Sequence, residues 1–346
     1  MRTAPLDRPI EPTPVTAGVK TMKAIVQDAY GSQAEEVLSF AEIARPTIGD
    51  DEILLRVAAA SVDRGTWHIM AGLPYPIRLA GFGVRTPKFS NPGRCVAGTV
   101  ESVGKDVTEF SLGDEVYGTC EGSFAEYASA KASKLATKPA NLTFGQAATV
   151  PISAVTALQA VRDQAEVQPG QKVLIIGASG GVGSFAVQIA RAFGAEVTGV
   201  CSTSKTEMVR ALGADHVIDY TRGDFLDGRH RYDVILDTGG NSRLSHLRRA
   251  LTATGRLVLV GGETDGRLLG GSDRQVRAIL LSPLLKQKLG TFVARENAQD
   301  LIALRELVES GKVTPAVDRT YPLSEASAAI QYVQEGRARG KVVITV

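Results

Sequence analysis

"VLIIGASGGVGSFAVQIARAFGAEVTGVCSTSK", residues 173–205, decides how this chain is read. Apolar Val173, Leu174, Ile175 and Ile176 run into a glycine cluster. A helix-like segment follows from Gly181, and a second apolar run leads to Cys201. Strand, glycine turn and helix, in that order, are the context in which a glycine pattern signals dinucleotide binding. Aligned to that pattern, the cluster reads Ala178-x-Gly180-x-x-Gly183, with alanine at the first glycine position. Gly180 lets the backbone approach a pyrophosphate, and Gly183 lets the helix pack closely on the strand. The helix start around Ser179, Gly180, Gly181 and Val182 offers unpaired N–H groups and partial positive charge to phosphates. A tight turn without a ligand is the plain alternative.

Sites for NAD usually carry Asp or Glu at the end of the second strand, to hold the ribose 2′-hydroxyl. Here that place reads Cys201, Ser202, Thr203, Ser204, Lys205, with no acid between Glu196 and Glu207. Hydroxyls and an ammonium receive a 2′-phosphate that a carboxylate would repel. The expected cofactor is therefore NADPH, held by Ser202, Thr203 and Lys205, although the same run also reads as a polar helix cap. Tyr220, after "HVID", is expected near the carboxyl ends of the strands, either packed on the adenine or on the surface.

Outward from the glycine cluster, the pattern alternates. Helix 147–161, strand 172–176, helix 181–193, strand 196–201, helix 205–212 and strand 216–218 come first. Strand 233–237, helix 241–251, strand 256–260 and strand 288–293 follow. Such alternation gives a parallel sheet with helices on both faces. Residues 23–145 are instead rich in short β-prone runs such as "EILLRVAAASV" and "VAGTVESVG", punctuated by turn pairs. Between them, "AGLPYPIRLAGFGVRTPKFSNPGR", residues 71–94, reads as a long functional loop. Helix 298–310 and a last strand, "GKVVITV", end the chain. The expected organisation is α/β: a doubly wound domain over 146–294 inserted into a mostly β domain made of 22–145 and 295–346. A flexible tail, 1–21, precedes them; its first twenty residues hold four prolines and no apolar core.

Thirty-nine basic against thirty-seven acidic side chains leave a net charge of +2, with no electrostatic footprint for nucleic acid. No apolar run reaches the length of a membrane span. Cys95, Cys120 and Cys201 lie far apart in sequence and form no CxxC pair. That suits a reducing cytoplasm rather than a disulfide framework.

The stretches "AAASVDRGTWHIMAG", "GRCVAGTVESVGKDVTEFSLGDEVYG", "GSFAEY", "AATVPISAVTALQAV", "LGADHVIDY", "YDVILDTGG" and "ARGKVVITV" run in order with the glycine cluster. Together they resemble the medium-chain dehydrogenase/reductase superfamily, in its zinc-free quinone oxidoreductase branch. The resemblance covers the chain from about residue 22 to its end. It implies a Rossmann domain, a GroES-like β-rich substrate domain, and NADP(H) in the cleft between them. It further implies Thr156 near the nicotinamide amide, with Gly261, Phe292 and Ala294 at strand ends beside that ring. Zinc-containing members place metal ligands where this sequence has Asp63, Arg94 and Ile152, and catalytic zinc needs about three ligands, so no metal is expected.

Without that Lewis acid, the implied substrate is an already polarised acceptor, a quinone or an α,β-unsaturated carbonyl. A metal-free carbonyl reductase or alcohol dehydrogenase, and a non-catalytic NADPH-binding protein, are the rivals. Tyr75 is the candidate proton donor or else an aromatic wall. Asp63 replaces the asparagine usual in the family, and either bonds the ribose, orients a water or pairs with Arg64 or Arg94. Trp67, Phe82 and Phe89 are expected to line an apolar pocket. Strand "KLGTFVA", with Leu289, Phe292 and Val293, is expected at the Rossmann sheet edge, pairing two copies into a homodimer.

Overall fold

The structure, a computed structural model, describes residues 20–261, 270 and 272–346. The expected tail lies outside these save for Lys20 and Thr21, and Thr21 already opens strand Thr21–Gln27.

Among the described residues, six parallel strands form one sheet. Their spatial order is His216–Asp219, Glu196–Cys201, Lys172–Ile176, Tyr232–Asp237, Leu251–Leu259, Lys288–Thr291. Numbered along the chain, that order is 3-2-1-4-5-6, the doubly wound dinucleotide-binding arrangement. Strand Lys172–Ile176 is buried on both faces, which is why it reads as an unbroken apolar run. Val173 and Ile175 pack with Phe185 and Ile189 of helix Gly181–Ala192 on one side. Leu174 and Ile176 pack with Leu247, Leu257 and Ala278 on the other. Each such fully buried side chain contributes about 1.5–3 kcal/mol.

A second sheet of seven strands is organised around Glu52–Val62. That strand pairs with Cys95–Val103, Tyr127–Lys131 and Lys341–Thr345, all antiparallel. The chain thus returns from the parallel sheet to finish inside the β-rich one, setting Val342 opposite Val62. The molecule is α/β, a Rossmann sheet joined to a GroES-like β domain. No helix among the described residues is long and apolar enough to cross a membrane.

Some expected elements differ. The single helix over 147–161 is three pieces, Phe144–Ala148, Ser153–Gln159 and a widened turn over Ala160–Gln164. Pro151 donates no hydrogen bond and disfavours helical backbone before it, so the chain breaks there. Strand Lys288–Thr291 stops before Phe292. Helix Ser272–Leu281 has no counterpart in the sequence reading.

Candidate dinucleotide and active site

At the end of strand Lys172–Ile176 the chain must turn sharply. Gly177 makes the turn, at φ +81°, and its N–H and that of Ala178 both donate to Val200 O. A Cβ on Gly177 would stand 2.6 Å from Thr238 Oγ1. The tight-turn role therefore belongs to Gly177 and not to the Ala178 position of the aligned pattern, because only Gly177 takes the left-handed conformation. Gly180 is the helix N-cap and brings no side-chain cap, leaving the first N–H groups of helix Gly181–Ala192 uncapped. A Cβ on Gly183 would lie 2.1 Å from Gly177 O, so helix and strand touch backbone to backbone.

The returning strand sets a cation beside this helix start. Lys341, 1% exposed, donates from Nζ to Ser153 Oγ (2.9 Å) and Val62 O (3.3 Å), both neutral oxygens. Its Cδ would stand 3.3 Å from a Cβ on Gly181, and Gly340 N–H donates to Ser179 O. An ammonium withdrawn from water is costly unless a charge or full hydrogen bonding compensates it. An uncapped helix start and a buried ammonium, adjacent at the reversal of strand order, fit the diphosphate of a dinucleotide.

The expected ribose end lies where strand Glu196–Cys201 stops. The sequence scan found no acid there, yet the neighbouring strand supplies one, because Asp219 is in register with Cys201. Asp219 Oδ2 accepts from Thr203 Oγ1 (2.5 Å), and Oδ1 accepts from Thr221 Oγ1 (2.7 Å). Those bonds, with Arg222 nearby, hold the Asp219 carboxyl below its usual range. Lys205 Nζ donates to Gly336 O and Ala338 O, and burial lowers its pKa. Ser202 follows the strand and stands at the N-cap of the turn Thr203–Lys205 without a side-chain hydrogen bond to it. Tyr220 is exposed, with its N–H on Cys201 O.

In the β-rich domain, Asp63 is the N-cap of helix Arg64–Ala71, accepting from Thr66 N–H in a capping box. Its other oxygen lies 3.8 Å from Cys95 Sγ. Burial pushes the Cys95 thiol up to about 12, helped by the Asp63 charge, so the sulfur stays protonated. Arg94 does not pair with Asp63; its Nη2 binds both oxygens of Glu296 (2.8 and 3.0 Å). Thr119 and Lys134 bind the same carboxylate. Burial opposes ionisation of Glu296, but Arg94 and Lys134 outweigh it and hold its pKa low. Among the described residues, no group of three His, Cys, Asp or Glu side chains is placed to hold a metal ion.

Phe82 and Phe89 meet edge to face at 6.2 Å, but Trp67 does not join them. Trp67 packs on the cluster of Ile25, Met70 and Ile330, stacks with Arg64, and donates to Ser32 O. Its position on helix Arg64–Ala71 turns the indole toward the β-domain core. Tyr75 is 40% exposed, with its ring beside the Arg78 guanidinium, and Pro74 lies against Gly270. Thr156 Oγ1 bonds back to Ile152 O. Phe292 is partly buried against the Rossmann core and Ala294 is half-buried.

Gly261 O is gripped by Arg274, whose guanidinium also binds Asp237 (2.7 Å), a fully buried carboxylate. Sequence reasoning missed Arg274, Asp237, Glu296 and Lys341. The pairs are brought together only by the fold, and the one legible signal was a lysine placed inside the apolar final strand.

Residues 212–344 match the family model described as zinc-binding dehydrogenase, and residues 49–140 match that of the alcohol dehydrogenase GroES-like domain. The chain is 34% identical over 380 residues to the mitochondrial NAD(P)H oxidoreductase RTN4IP1 of Mus musculus, covering 98% of this chain and 94% of that protein. It is 34% identical over 339 residues to the 2-methylene-furan-3-one reductase of Solanum lycopersicum, covering 93% and 79% respectively. The quinone oxidoreductase from Coxiella burnetii superposes with a TM-score of 0.82 at 29% identity, covering 94% of this chain and 100% of that one.

Proposed function

This chain belongs to the medium-chain dehydrogenase/reductase superfamily, among its quinone oxidoreductase-like members, and from that premise we propose a zinc-independent, NADPH-dependent reductase of quinones or α,β-unsaturated carbonyls. The observation that carries the reading is the glycine turn, where an uncapped helix start and the buried Lys341 ammonium lie side by side. When bound, the reduced nicotinamide supplies a hydride to an electrophilic carbon.

The chain's own residues do the rest. The N–H groups of Gly181 and Val182, with Lys341, hold the diphosphate. Ser202, Thr203, Lys205 and Tyr220 border the adenosine end. Thr156, Gly261, Phe292 and Ala294 border the nicotinamide, with Gly261 O fixed by Arg274. Tyr75 donates a proton to the oxygen on which negative charge develops, while Phe82 and Phe89 wall the acceptor. Asp63 fixes the start of the helix leading into the Tyr75 loop.

Three side chains support metal independence. Asp63 is spent on capping, Arg94 is bound to Glu296, and Ile152 has no ligand atom. An acceptor polarised by conjugation needs no Lewis acid to take a hydride. Strand Lys288–Thr291 ends the sheet with apolar Leu280, Leu284 and Val293 exposed nearby, which supports a homodimer across that edge. The three cysteines are unpaired thiols, in keeping with a cytoplasmic protein.

A panel of quinones, enones, aldehydes and alcohols, followed by NADPH absorbance in chelator, tests the reading. Turnover of enones or quinones is expected. Turnover confined to aldehydes and alcohols would favour the carbonyl reductase reading, and dinucleotide binding without turnover of any acceptor would favour a non-catalytic role.

A further inference from the structure

At the amino ends of strands Leu251–Leu259 and Lys288–Thr291, the opposite end of the parallel sheet from the glycine turn, lies a cavity of about 570 Å³. Its walls are helix Leu244–Ala250 and the segment leading into the edge strand. Ser245, His246, Arg248, Arg249, Lys286 and Gln287 supply its polar groups, and none of the described residues lining it is acidic. The sequence carries the same asymmetry. Residues 241–262 hold four arginines, residues 274–295 hold five lysines or arginines, and neither run holds an Asp or Glu, although the whole chain is nearly balanced at +2. Arg248 is fixed in place. Its Nε donates to Gln287 Oε1 (3.3 Å), and Gln287 Nε2 donates back to Arg248 O (2.9 Å) and to Thr252 O (3.2 Å). That exchange ties the two walls together and satisfies the Gln287 amide. The Arg248 Nη groups, Arg249 and Lys286 meet no carboxylate among the described residues. Arg256 and Arg277, from the same two runs, instead pair with Glu166 and Asp273. Three cations around one concavity without a counter-ion give a positive local potential that attracts anions.

We propose that this cavity binds a small soluble molecule carrying two phosphate groups, at a site separate from that of the dinucleotide. A phosphate monoester brings a charge of about −1.5 to −2 and three acceptor oxygens at neutral pH. One such group leaves part of the charge of Arg248, Arg249 and Lys286 uncompensated, and two match it. The guanidinium groups suit bidentate binding of phosphate, and Lys286 adds a point charge. The volume lies within the range of about 300–1,000 Å³ common to small-molecule sites. In sheets of this order the dinucleotide binds beyond the carboxyl ends of the strands, so the amino-end cavity can hold its ligand while the cofactor is in place.

Inorganic pyrophosphate is the probe, titrated by calorimetry into the NADPH-loaded unsubstituted protein and into Arg249→Gln, Lys286→Gln and Lys312→Gln. Arg249 and Lys286 are exposed, so their substitution leaves the core untouched; Lys312, also exposed, does not line the cavity and controls for loss of charge alone. One equivalent is expected to bind the unsubstituted protein, at least about tenfold more tightly than inorganic monophosphate. Affinity should fall about tenfold or more in Arg249→Gln and in Lys286→Gln, and stay unchanged in Lys312→Gln. Absence of binding at millimolar pyrophosphate overturns the proposal. So does binding that NADPH abolishes, which belongs to the glycine turn, or an equal loss in all three variants, which is a diffuse charge effect. Sedimentation of the unsubstituted protein with phosphatidylglycerol vesicles, without pyrophosphate binding, overturns it in favour of a lipid surface. Failure of NADPH to bind defeats the dinucleotide reading instead, and the comparison of the three variants still decides this one.

Discussion

Gly180→Ala and Gly183→Ala, three residues apart, should fail in different ways. A Cβ on Gly183 would lie 2.1 Å from Gly177 O, 2.8 Å from Gly177 C and 2.9 Å from Ala178 Cα. All three are backbone atoms, so no side chain can swing aside. An ordinary contact requires the helix to retreat from the strand by roughly an ångström, and the helix carries Phe185, Val187 and Ile189, each fully buried. Overpacking of this kind costs about 1–3 kcal/mol, so Gly183→Ala should unfold at lower denaturant and also bind dinucleotide poorly. Gly180 sits at φ −82°, which any residue adopts, and its Cβ would meet only Gly177 O, at 3.3 Å. Gly180→Ala should therefore cost well under about 1 kcal/mol of stability. The added methyl nonetheless occupies the place where the backbone must approach the diphosphate, so NADPH affinity should fall at least about tenfold, ~1.4 kcal/mol. Urea denaturation and a fluorescence titration of both variants measure the two effects separately. Normal NADPH affinity in a normally stable Gly180→Ala would refute the assignment of the glycine turn.

Glu296→Gln should lower stability by about 2 kcal/mol near neutral pH, since Arg94 and Lys134 both lose a carboxylate partner. Because the folded pKa of Glu296 is depressed, this contribution is fully present above its unfolded value, about 4.3, and is lost as pH falls through the lower folded value. The stability gap between the two proteins, followed by denaturation from pH 7 downward, should close below about 4; a gap independent of pH would refute the clamp. Tyr75→Phe should reduce kcat on an enone about 10²–10³-fold with little change in KM, and steady-state kinetics showing unchanged turnover would remove the donor role. Leu284→Glu, at an 80% exposed position near the sheet edge, should convert a dimer to a monomer by light scattering; a monomeric unsubstituted protein would dispose of the homodimer.

The parallel sheet was legible because strands alternate with helices along the chain, and strands Lys172–Ile176 and Glu196–Cys201 fall where the sequence puts them. Pro151 marked the break in the helix over 147–161, but the apolar periodicity on both sides masked it. At the site, what lies along one strand–turn–helix was readable and what comes from a neighbour was not. Asp219 is 18 positions from Cys201 in sequence but sits beside it in the sheet. Glu296 reaches Arg94 across 202 positions, and Lys341 reaches Ser153 across 188. Trp67 packs on the β-domain cluster, since an indole is as suited to a domain core as to an apolar site, and helix phase decides what it meets.

Hydride transfer itself is the claim to test most directly. The unsubstituted protein, treated with chelator, is incubated with an enone and NADPH deuterated at the transferable position of the nicotinamide, and the product is analysed by mass spectrometry. The account predicts a saturated carbonyl product carrying one deuterium on the carbon β to the carbonyl, formed at the same rate before and after chelator treatment. A product without deuterium, or formation that ceases with the chelator and returns with zinc, would contradict it.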